Sequence, residues 1–174
     1  NLQKLRPRDG TVDLQKVTTQ QGVFVLAGPR SRELLQRITR VDLSSAAFPW
    51  LVGKEADLGV AHGRVLRVNF VGELGYELHH PIEMQNYLFD LLFEAGEDLG
   101  LRPFGIRAMD ALRLEKSYRL VSRELSIEYA ALESGLQRFV KLDKPDFIGK
   151  AGLSRWQEEG FRWQFVTAEM RGAD

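Results

Sequence analysis

Glu73 is the residue whose surroundings most suggest a ligand contact. It lies in a short segment flanked by Gly72 and Gly75, and glycines of this kind let a loop turn tightly at the mouth of a cleft. A carboxylate there could accept two neighbouring N–H donors, from an arginine or from the amidine-like edge of a ligand. The alternative is a solvated loop glutamate, and residue spacing by itself favours that alternative.

Two adjacent histidines, His79 and His80, form a second candidate group. On a strand, neighbouring side chains point to opposite faces, so this pair does not converge on one metal ion. The chain has three histidines and no cysteine, and no third ligand clusters near the pair. We therefore predict one exposed histidine, one partly buried histidine and no metal-binding residues.

A charged segment from Arg107 to Lys116 is the third candidate. Several of its charges lie three residues apart, which on a helix allows i,i+3 ion pairs along one face. The charged residues are Arg107, Asp110, Arg113, Glu115 and Lys116. Two interpretations stay open: a solvated, internally paired face, or one arginine that escapes pairing and binds an anionic ligand.

Hydrophobic patterns predict the elements that position Glu73. The apolar run Val23–Ala27 is typical of a buried strand. It ends at Gly28-Pro29, where proline can occupy the first position of a helix. Residues 64–70 and 76–79 alternate between apolar and polar, which predicts an antiparallel hairpin with Glu73 at its tip. In the first of these strands the alternation places three residues on one face: Leu66, Val68 and Phe70.

The second half of the chain is predicted to contain more helix than strand. Apolar residues at i, i+3 and i+4 predict a helix from Met84 to Ala95. Shorter helices are predicted at Ile106–Ser117 and Gly149–Glu159, and strands at Phe139–Leu142 and Phe161–Met170. Because strands and helices do not alternate regularly, the pattern predicts an α+β fold.

The composition excludes several classes of protein. The 174 residues carry 24 basic and 24 acidic side chains, so no basic field would attract a nucleic acid. The absence of cysteine excludes a disulfide framework, a thiolate metal site and a cysteine nucleophile. No apolar run reaches the roughly 20 residues of a membrane-spanning helix. We expect a cytoplasmic protein and, since the chain begins without Met, a part of a longer one.

Four short motifs occur in a characteristic order along the chain. They are Gly28-Pro29-Arg30-Ser31, Gly72-Glu73-Leu74-Gly75-Tyr76-Glu77, the segment GIRAMDALRLEK from Gly105 to Lys116, and Asp146-Phe147-Ile148-Gly149-Lys150. Together they resemble the tetrahydrofolate-dependent aminomethyltransferase family, which includes the glycine cleavage T-protein. The C-terminal folate regions of dimethylglycine and sarcosine dehydrogenases belong to the same family, and the chain resembles that branch most.

The resemblance implies a tetrahydrofolate site around Glu73. The corresponding glutamate of the family grips the pterin ring, whose ring N–H beside an exocyclic amine suits one carboxylate. Tyr76 would pack beside the loop, and it stands with Arg107 among the candidate folate-binding residues. The family's T-protein has an arginine directly before its helical aspartate. This chain has Met109 there, and Arg107 lies about 200° around the helix from that position.

The resemblance also implies a domain organisation and a reaction. Residues 1–145 would be a partial folate-binding domain with antiparallel hairpins and packed helices, and residues 146–174 the beginning of a C-terminal β-barrel. The enzyme would transfer an aminomethyl or iminium-level carbon from dimethylglycine, sarcosine or glycine to tetrahydrofolate. Its acidic catalytic residue would lie upstream, so no catalytic residue is named here, and any FAD would bind to another domain.

Two other functions stay open at this point. One is a folate-dependent demethylase of a sulfonium substrate, and the other is a non-catalytic folate-binding module. Modules of that kind that assist iron–sulfur assembly carry a cysteine-bearing signature, which this chain lacks. The expected partners are small molecules, a folate and a methylated amine, with neither nucleic acid nor membrane. Unpaired strand edges would favour self-association.

Overall fold

The computed structural model describes residues 2–169 and residue 172. The helices are α1 (Leu2–Leu5), α2 (Ser31–Ile38), α3 (Gln85–Gly96), α4 (Ile106–Glu115) and α5 (Lys150–Glu159). The strands are β1 (Gln21–Ala27), β2 (Gly53–Leu58), β3 (Ala61–Leu66) and β4 (Gly75–Pro81), and 3₁₀ turns cover Ile82–Met84 and Gln137–Phe139. The chain divides into two compact units, Asn1–Met109 and Asp110–Asp174.

The strands of the first unit form an antiparallel sheet with the order β1-β4-β3-β2. Strand β4 therefore lies between β1 and β3, and its residue Leu78 pairs with Phe24 on one side and Val65 on the other. Alternate side chains of a strand face the same side of the sheet. On β4 the residues that face the core are fully buried: Tyr76, Leu78 and His80.

The hydrophobic core of the first unit lies between this sheet and the helices α2 and α3. Leu34 and Leu35 of α2 and Leu88 and Leu92 of α3 are buried in it, as expected for residues at i, i+1 and i+4 spacings on amphipathic helices. Burial of each such leucine contributes about 1.5–3 kcal/mol. The other buried members are Leu26, Leu43, Phe48, Ala56, Leu58, Ala61, Val65, Tyr76 and Leu78.

His80 is buried beside this core with both ring nitrogens hydrogen-bonded. Nδ1 lies 2.9 Å from the carbonyl oxygen of Leu78, and Nε2 lies 2.7 Å from Oε1 of Gln85. The imidazole ring stacks on Phe24 with 5.0 Å between centroids. Gly22 pairs with His80 across the sheet, and a Cβ there would overlap Oε1 of Gln85 and Nε2 of His80. A side chain at position 22 would therefore displace Gln85 or His80 from their contact.

The second unit is organised around a buried arginine. Arg113 is 1% exposed, and its Nε donates to Oδ1 of Asp110 at 2.7 Å. Its Nη1 donates to Oε2 of Glu124 and to the carbonyl oxygen of Tyr118, both at 2.9 Å. Arg123 makes a second ion pair with Asp110 at 3.2 Å. These bonds join α4 to the irregular segment that follows it.

Glu133 connects a turn of the second unit to the segment after α5. Its Oε2 accepts a hydrogen bond from the N–H of Ala130 at 2.8 Å, and its Oε1 accepts from the N–H groups of Arg162 and Trp163 at 3.1 and 3.4 Å. The carbonyl oxygen of Glu133 also accepts from the N–H of Phe165 at 2.9 Å. One glutamate thus fixes the path of the segment by backbone hydrogen bonds.

The α+β prediction and the main helix predictions are confirmed. Helices α3, α4 and α5 agree with the predicted helices to within about two residues at each end. Strand β1 also lies where the apolar run predicts it. His79 is partly exposed and His80 is buried, as their opposite faces on one strand require.

Three strand predictions are wrong. The strand predicted at residues 64–70 ends at Leu66, and the buried residues of β3 are Ala61 and Val65, so the predicted face of Leu66, Val68 and Phe70 is also wrong. Apolar alternation continues after Leu66, and the N–H of Arg67 still bonds to the carbonyl of Val52, the next pair of the β2–β3 register. The N–H of Val68 then bonds back to the carbonyl of Leu66, which turns the chain away from the strand direction. A side-chain pattern alone does not show where backbone pairing stops.

The other two wrong predictions lie in the second unit. The residues predicted as the strand Phe139–Leu142 follow a 3₁₀ turn and are irregular. Phe161–Met170 is not a strand over its described residues, because Glu133 takes up the N–H groups of Arg162, Trp163 and Phe165, and Met170 lies outside the described residues. The beginning of a β-barrel is therefore not confirmed, and the division at residues 145 and 146 stays a prediction.

Replacement of Gly22 by alanine is expected to destabilise the first unit by about 1–3 kcal/mol, because the new methyl group overpacks the His80–Gln85 contact. The free energy of unfolding from urea denaturation measures the effect. Gly152→Ala is the control, since a Cβ at that position in α5 meets no atom within 4 Å, and it should stabilise by about 0.5–1 kcal/mol. Equal stability of Gly22→Ala and the parent chain would contradict the packing argument.

The second unit is expected to lose stability in acid through Glu124. Burial raises the pKa of this carboxyl, but hydrogen bonds from the N–H of Leu120 and from Arg113 outweigh it, and the pKa is lowered overall. A carboxylate with a lowered pKa stabilises the fold above its unfolded pKa, which is about 4.3, and that contribution is lost as the pH falls through the folded pKa.

Glu124→Gln should be less stable than the parent chain at neutral pH and should lose less stability between about pH 5 and pH 3. Unfolding curves over that pH range, followed through tryptophan fluorescence, provide the measurement. A parallel pH dependence of both proteins would show that Glu124 does not carry the effect.

Candidate functional site

The loop between β3 and β4, residues 67–74, presents Glu73 to solvent. The side chain is exposed, and the hydrogen bonds and ion pairs found among the described residues do not include it. Both carboxylate oxygens of Glu73 are therefore available to a ligand. This is the location that the sequence predicts for it.

The backbone on both sides of Glu73 is held by hydrogen bonds. Before it, the N–H of Gly72 donates to Oδ1 of Asn69 at 2.9 Å. After it, the carbonyl oxygen of Leu74 accepts from the N–H of Gly28 at 2.8 Å and from Oγ of Ser31 at 3.1 Å. An exposed carboxylate is thus carried on a fixed backbone.

Gly75 lies where the loop meets the sheet, and close packing explains its residue type. A Cβ at this position would stand 2.9 Å from Cβ of Asn69 and 3.2 Å from the carbonyl oxygen of Leu26. Both distances are shorter than ordinary van der Waals contact between heavy atoms. The absence of a side chain therefore allows the loop to approach strand β1.

Tyr76 is fully buried and faces the core. Its hydroxyl oxygen accepts a hydrogen bond from Nε of Arg32 at 3.3 Å, and its ring packs edge-on against Phe48 with 6.2 Å between centroids. The structure therefore gives Tyr76 a packing role beside the loop. Its assignment as a folate contact stays a prediction.

Arg107 is exposed near the start of α4. The ion pairs of the described residues do not include it, whereas Asp110 is taken by Arg113 and Arg123. The internal ion pair between Arg107 and Asp110 is therefore absent from this part of the chain. Of the three predicted folate-binding residues, Tyr76 and Glu73 are therefore near each other, on β4 and on the loop that precedes it. The structure records no contact between Arg107 and Glu73.

Two cavities lie beside the turn Gly28–Ser31. The first has a volume of about 630 Å³ and is lined by Arg32, Gln36 and Leu74 among other residues. The second, of about 310 Å³, lies between the turn and the segment from Leu99 to Arg102. Leu74 lines the first cavity, whose volume is large enough for part of a small-molecule ligand. Glu73 directly precedes Leu74 in the chain but is not itself one of the lining residues.

Two arginines beside these cavities, Arg30 and Arg37, are ion-paired. Arg30 is paired with Glu33 at 3.0 Å, and Arg37 binds the carboxylate of Asp98 through both Nη atoms. The hydrogen bond from Arg37 is the main cause that lowers the pKa of Asp98, and the bond from Arg30 lowers the pKa of Glu33 in the same way. Arg32, which lines the first cavity, bonds instead to the neutral hydroxyl groups of Tyr76 and Ser45. The ion pairs of the described residues include neither Arg32 nor Arg102 of the second cavity.

Other kinds of site find no support in the part of the chain that is described. Its His, Asp and Glu side chains do not gather in a group of three or more that could hold a metal ion. Within the same residues, every helix is too short or too polar to cross a membrane.

Sequence reasoning found Glu73 but not the residues that hold its loop. Ser31 and Asn69 are each bonded to the loop, and Ser31 lies 43 residues from Leu74 in sequence. The sequence held one signal for Ser31, which is the last residue of the motif Gly28-Pro29-Arg30-Ser31. That motif and the motif around Glu73 are two of the four that together resemble the family. Only the β1–β4 pairing shows that these two motifs touch.

Comparison with known proteins gives consistent matches. Residues 1–144 match the family model of the GCVT N-terminal domain. The chain is 40% identical over 156 residues to the mitochondrial dimethylglycine dehydrogenase of Mus musculus, which covers 89% of this chain and 18% of that protein. It is also 40% identical over 146 residues to sarcosine oxidase subunit alpha of Rhizobium meliloti (strain 1021), covering 83% of the chain and 15% of that protein.

A shorter relative shows the same relationship. The aminomethyltransferase of Caldanaerobacter subterraneus subsp. tengcongensis is 37% identical over 161 residues, which cover 92% of this chain and 43% of that protein. The chain therefore spans less than half the length of each of these curated relatives.

Tyr76→Phe is expected to reduce the free energy of unfolding by about 0.5–1.5 kcal/mol, because it removes the hydrogen bond from Arg32 and keeps the ring. Tyr76→Ala should cost about 3–5 kcal/mol through loss of core packing. Urea denaturation of the two variants beside the parent chain measures both values. A similar, small effect of both substitutions would mean that Tyr76 is not part of the core.

Proposed function

This chain belongs to the GCVT N-terminal domain family, and we propose that it is the folate-binding region of a one-carbon transfer enzyme. The single observation that carries the proposal is the exposed carboxylate of Glu73, free of bonds within the described residues, on an anchored loop whose next residue, Leu74, lines a cavity. The relatives' names, aminomethyltransferase, dimethylglycine dehydrogenase and sarcosine oxidase, support the reaction class.

The chemistry of a pterin ring suits the free carboxylate of Glu73. A pterin presents a ring N–H and an exocyclic amine side by side, and a carboxylate accepts both hydrogen bonds at once. Within the described residues, neither carboxylate oxygen of Glu73 accepts a hydrogen bond or joins an ion pair. Pairing with the ring would satisfy the carboxylate without displacing an existing ion pair.

The proposed reaction moves an aminomethyl or iminium-level carbon from dimethylglycine, sarcosine or glycine to tetrahydrofolate. In it, this chain binds and orients the folate through Glu73, while Tyr76 supports the loop from the core. Bound tetrahydrofolate supplies the amine that accepts the one-carbon unit. The acidic catalytic residue and any FAD are proposed to belong to parts of the enzyme outside these residues, since the chain covers 18% of the mouse dehydrogenase.

The compartment stays a prediction. Composition led us to expect a cytoplasmic protein, whereas the names of the dimethylglycine dehydrogenase relatives describe mitochondrial proteins. Small-molecule partners, a folate and a methylated amine, follow from the proposed reaction.

Calorimetric titration with tetrahydrofolate tests the assignment of Glu73. Glu73→Ala is expected to weaken binding by about 10- to 100-fold, because a charge-assisted hydrogen bond contributes roughly 1.5–3 kcal/mol. Glu83→Ala is the matched control, since Glu83 is another exposed glutamate of the same unit. It should bind as the parent chain does, and equal affinity of parent and Glu73→Ala would remove Glu73 from the pterin site.

A further inference from the structure

The hydroxyl group of Ser31 is buried and bonded away from its own helix. Ser31 is 4% exposed and is the first residue of α2. A serine at a helix start commonly caps the free N–H groups of the first turn. Here the cap position belongs to Arg30, which makes no side-chain cap bond, and Oγ of Ser31 donates instead to Leu74 across the fold.

Leu74 is the residue directly after Glu73, so its carbonyl group fixes the direction in which the chain leaves the glutamate. That carbonyl oxygen accepts from the N–H of Gly28 at 2.8 Å and from Oγ of Ser31 at 3.1 Å. The bond from Gly28 continues the β1–β4 register by one pair beyond Ala27 and Gly75. The bond from Ser31 is additional to the sheet and comes from a side chain.

A loop that is already fixed costs less to order when a ligand binds. Binding a ligand to a mobile side chain or loop costs conformational entropy, and preorganisation removes that cost. A binding group is placed accurately when neighbouring residues lock its backbone. Ser31 on one side of Glu73 and Asn69 on the other meet this description, while the carboxylate itself stays free.

We propose that Ser31 is a positioning residue for the ligand-binding carboxylate of Glu73. It acts through the Leu74 carbonyl and does not touch the ligand. The proposal rests on the folate-binding function proposed above for Glu73. It also gives the presence of both motifs in this chain a physical meaning, because the serine of the first motif bonds to the loop of the second.

The first test measures order in the loop without any ligand. In ¹⁵N relaxation, we expect the amide order parameter of Glu73 to be close to the rigid value of about 0.85 in the parent chain and to fall toward about 0.6 in Ser31→Ala. Ser31→Thr and Ser31→Val form a matched pair that differs in the hydroxyl group. The threonine variant should keep the loop rigid and the valine variant should not.

Ser134→Ala controls for the loss of a buried serine hydroxyl elsewhere. Ser134 is also 4% exposed, and its Oγ donates to the carbonyl oxygen of Glu124 in the second unit. This variant should leave the Glu73 amide rigid. If Ser31→Ala fails to fold, the threonine and valine variants decide the question. A Glu73 amide that is equally rigid with and without the hydroxyl at position 31 overturns the proposal.

The second test uses tetrahydrofolate titration and separates positioning from general stability. Ser31→Ala and Ser31→Val should bind about 3- to 10-fold more weakly than the parent chain, and Ser31→Thr should restore the affinity. Because Ser31 acts through Glu73, adding Ser31→Ala to Glu73→Ala should cause no further loss. A loss that is the same with or without Glu73 would assign Ser31 a role that does not pass through the glutamate.

The two proposals fail in different ways. If the parent chain and Glu73→Ala bind tetrahydrofolate equally, or neither binds it, the assignment of Glu73 to the pterin fails, and the relaxation experiment still decides whether Ser31 fixes the loop. If Glu73→Ala loses binding and Ser31→Val does not, the function stands and the positioning role of Ser31 is wrong.

Discussion

The antiparallel pairing of β4 between β1 and β3 is the constraint on which the first unit depends. Its inward side chains, Tyr76, Leu78 and His80, are fully buried, so a shift of register by one residue would turn them to the outer face. Helices α2 and α3 then cover the same face of the sheet. The loop that carries Glu73 leads directly into β4, so the pairing of β4 with β1 and β3 determines where the loop lies.

The two units are stabilised by different kinds of interaction. The first has an apolar core of leucines and aromatic rings between sheet and helices. The second relies on polar contacts of buried groups, chiefly those of Arg113 and Glu133. Such networks are costly to break because each lost partner leaves a buried charge unpaired. Apolar stabilisation tolerates a change of pH, whereas the second unit also depends on Glu124, whose pKa is lowered by its hydrogen bonds although burial opposes this.

The elements that sequence predicted well are those whose residues carry a local periodic signal. Helix α3 and strand β1 have such signals. The glycines on either side of Glu73, Gly72 and Gly75, correctly indicated an exposed loop. What sequence could not show was where backbone groups find distant partners. Glu133 accepts hydrogen bonds from the N–H groups of Arg162, Trp163 and Phe165, and Ser31 donates to the carbonyl oxygen of Leu74. Each of these depends on residues far apart in the chain.

The anchoring of the loop limits chain length unequally on its two sides. Because Leu74 is the next pair of the β1–β4 register after Gly75 and Ala27, an inserted residue between Gly72 and Tyr76 would carry the carboxylate away from its place. Extra residues between Val68 and Asn69 would enlarge the loop, and the carbonyl oxygen of Leu74 would keep its hydrogen bonds from Gly28 and Ser31. Length variation among related chains is therefore expected before Asn69, with a constant count of residues from there into the strand.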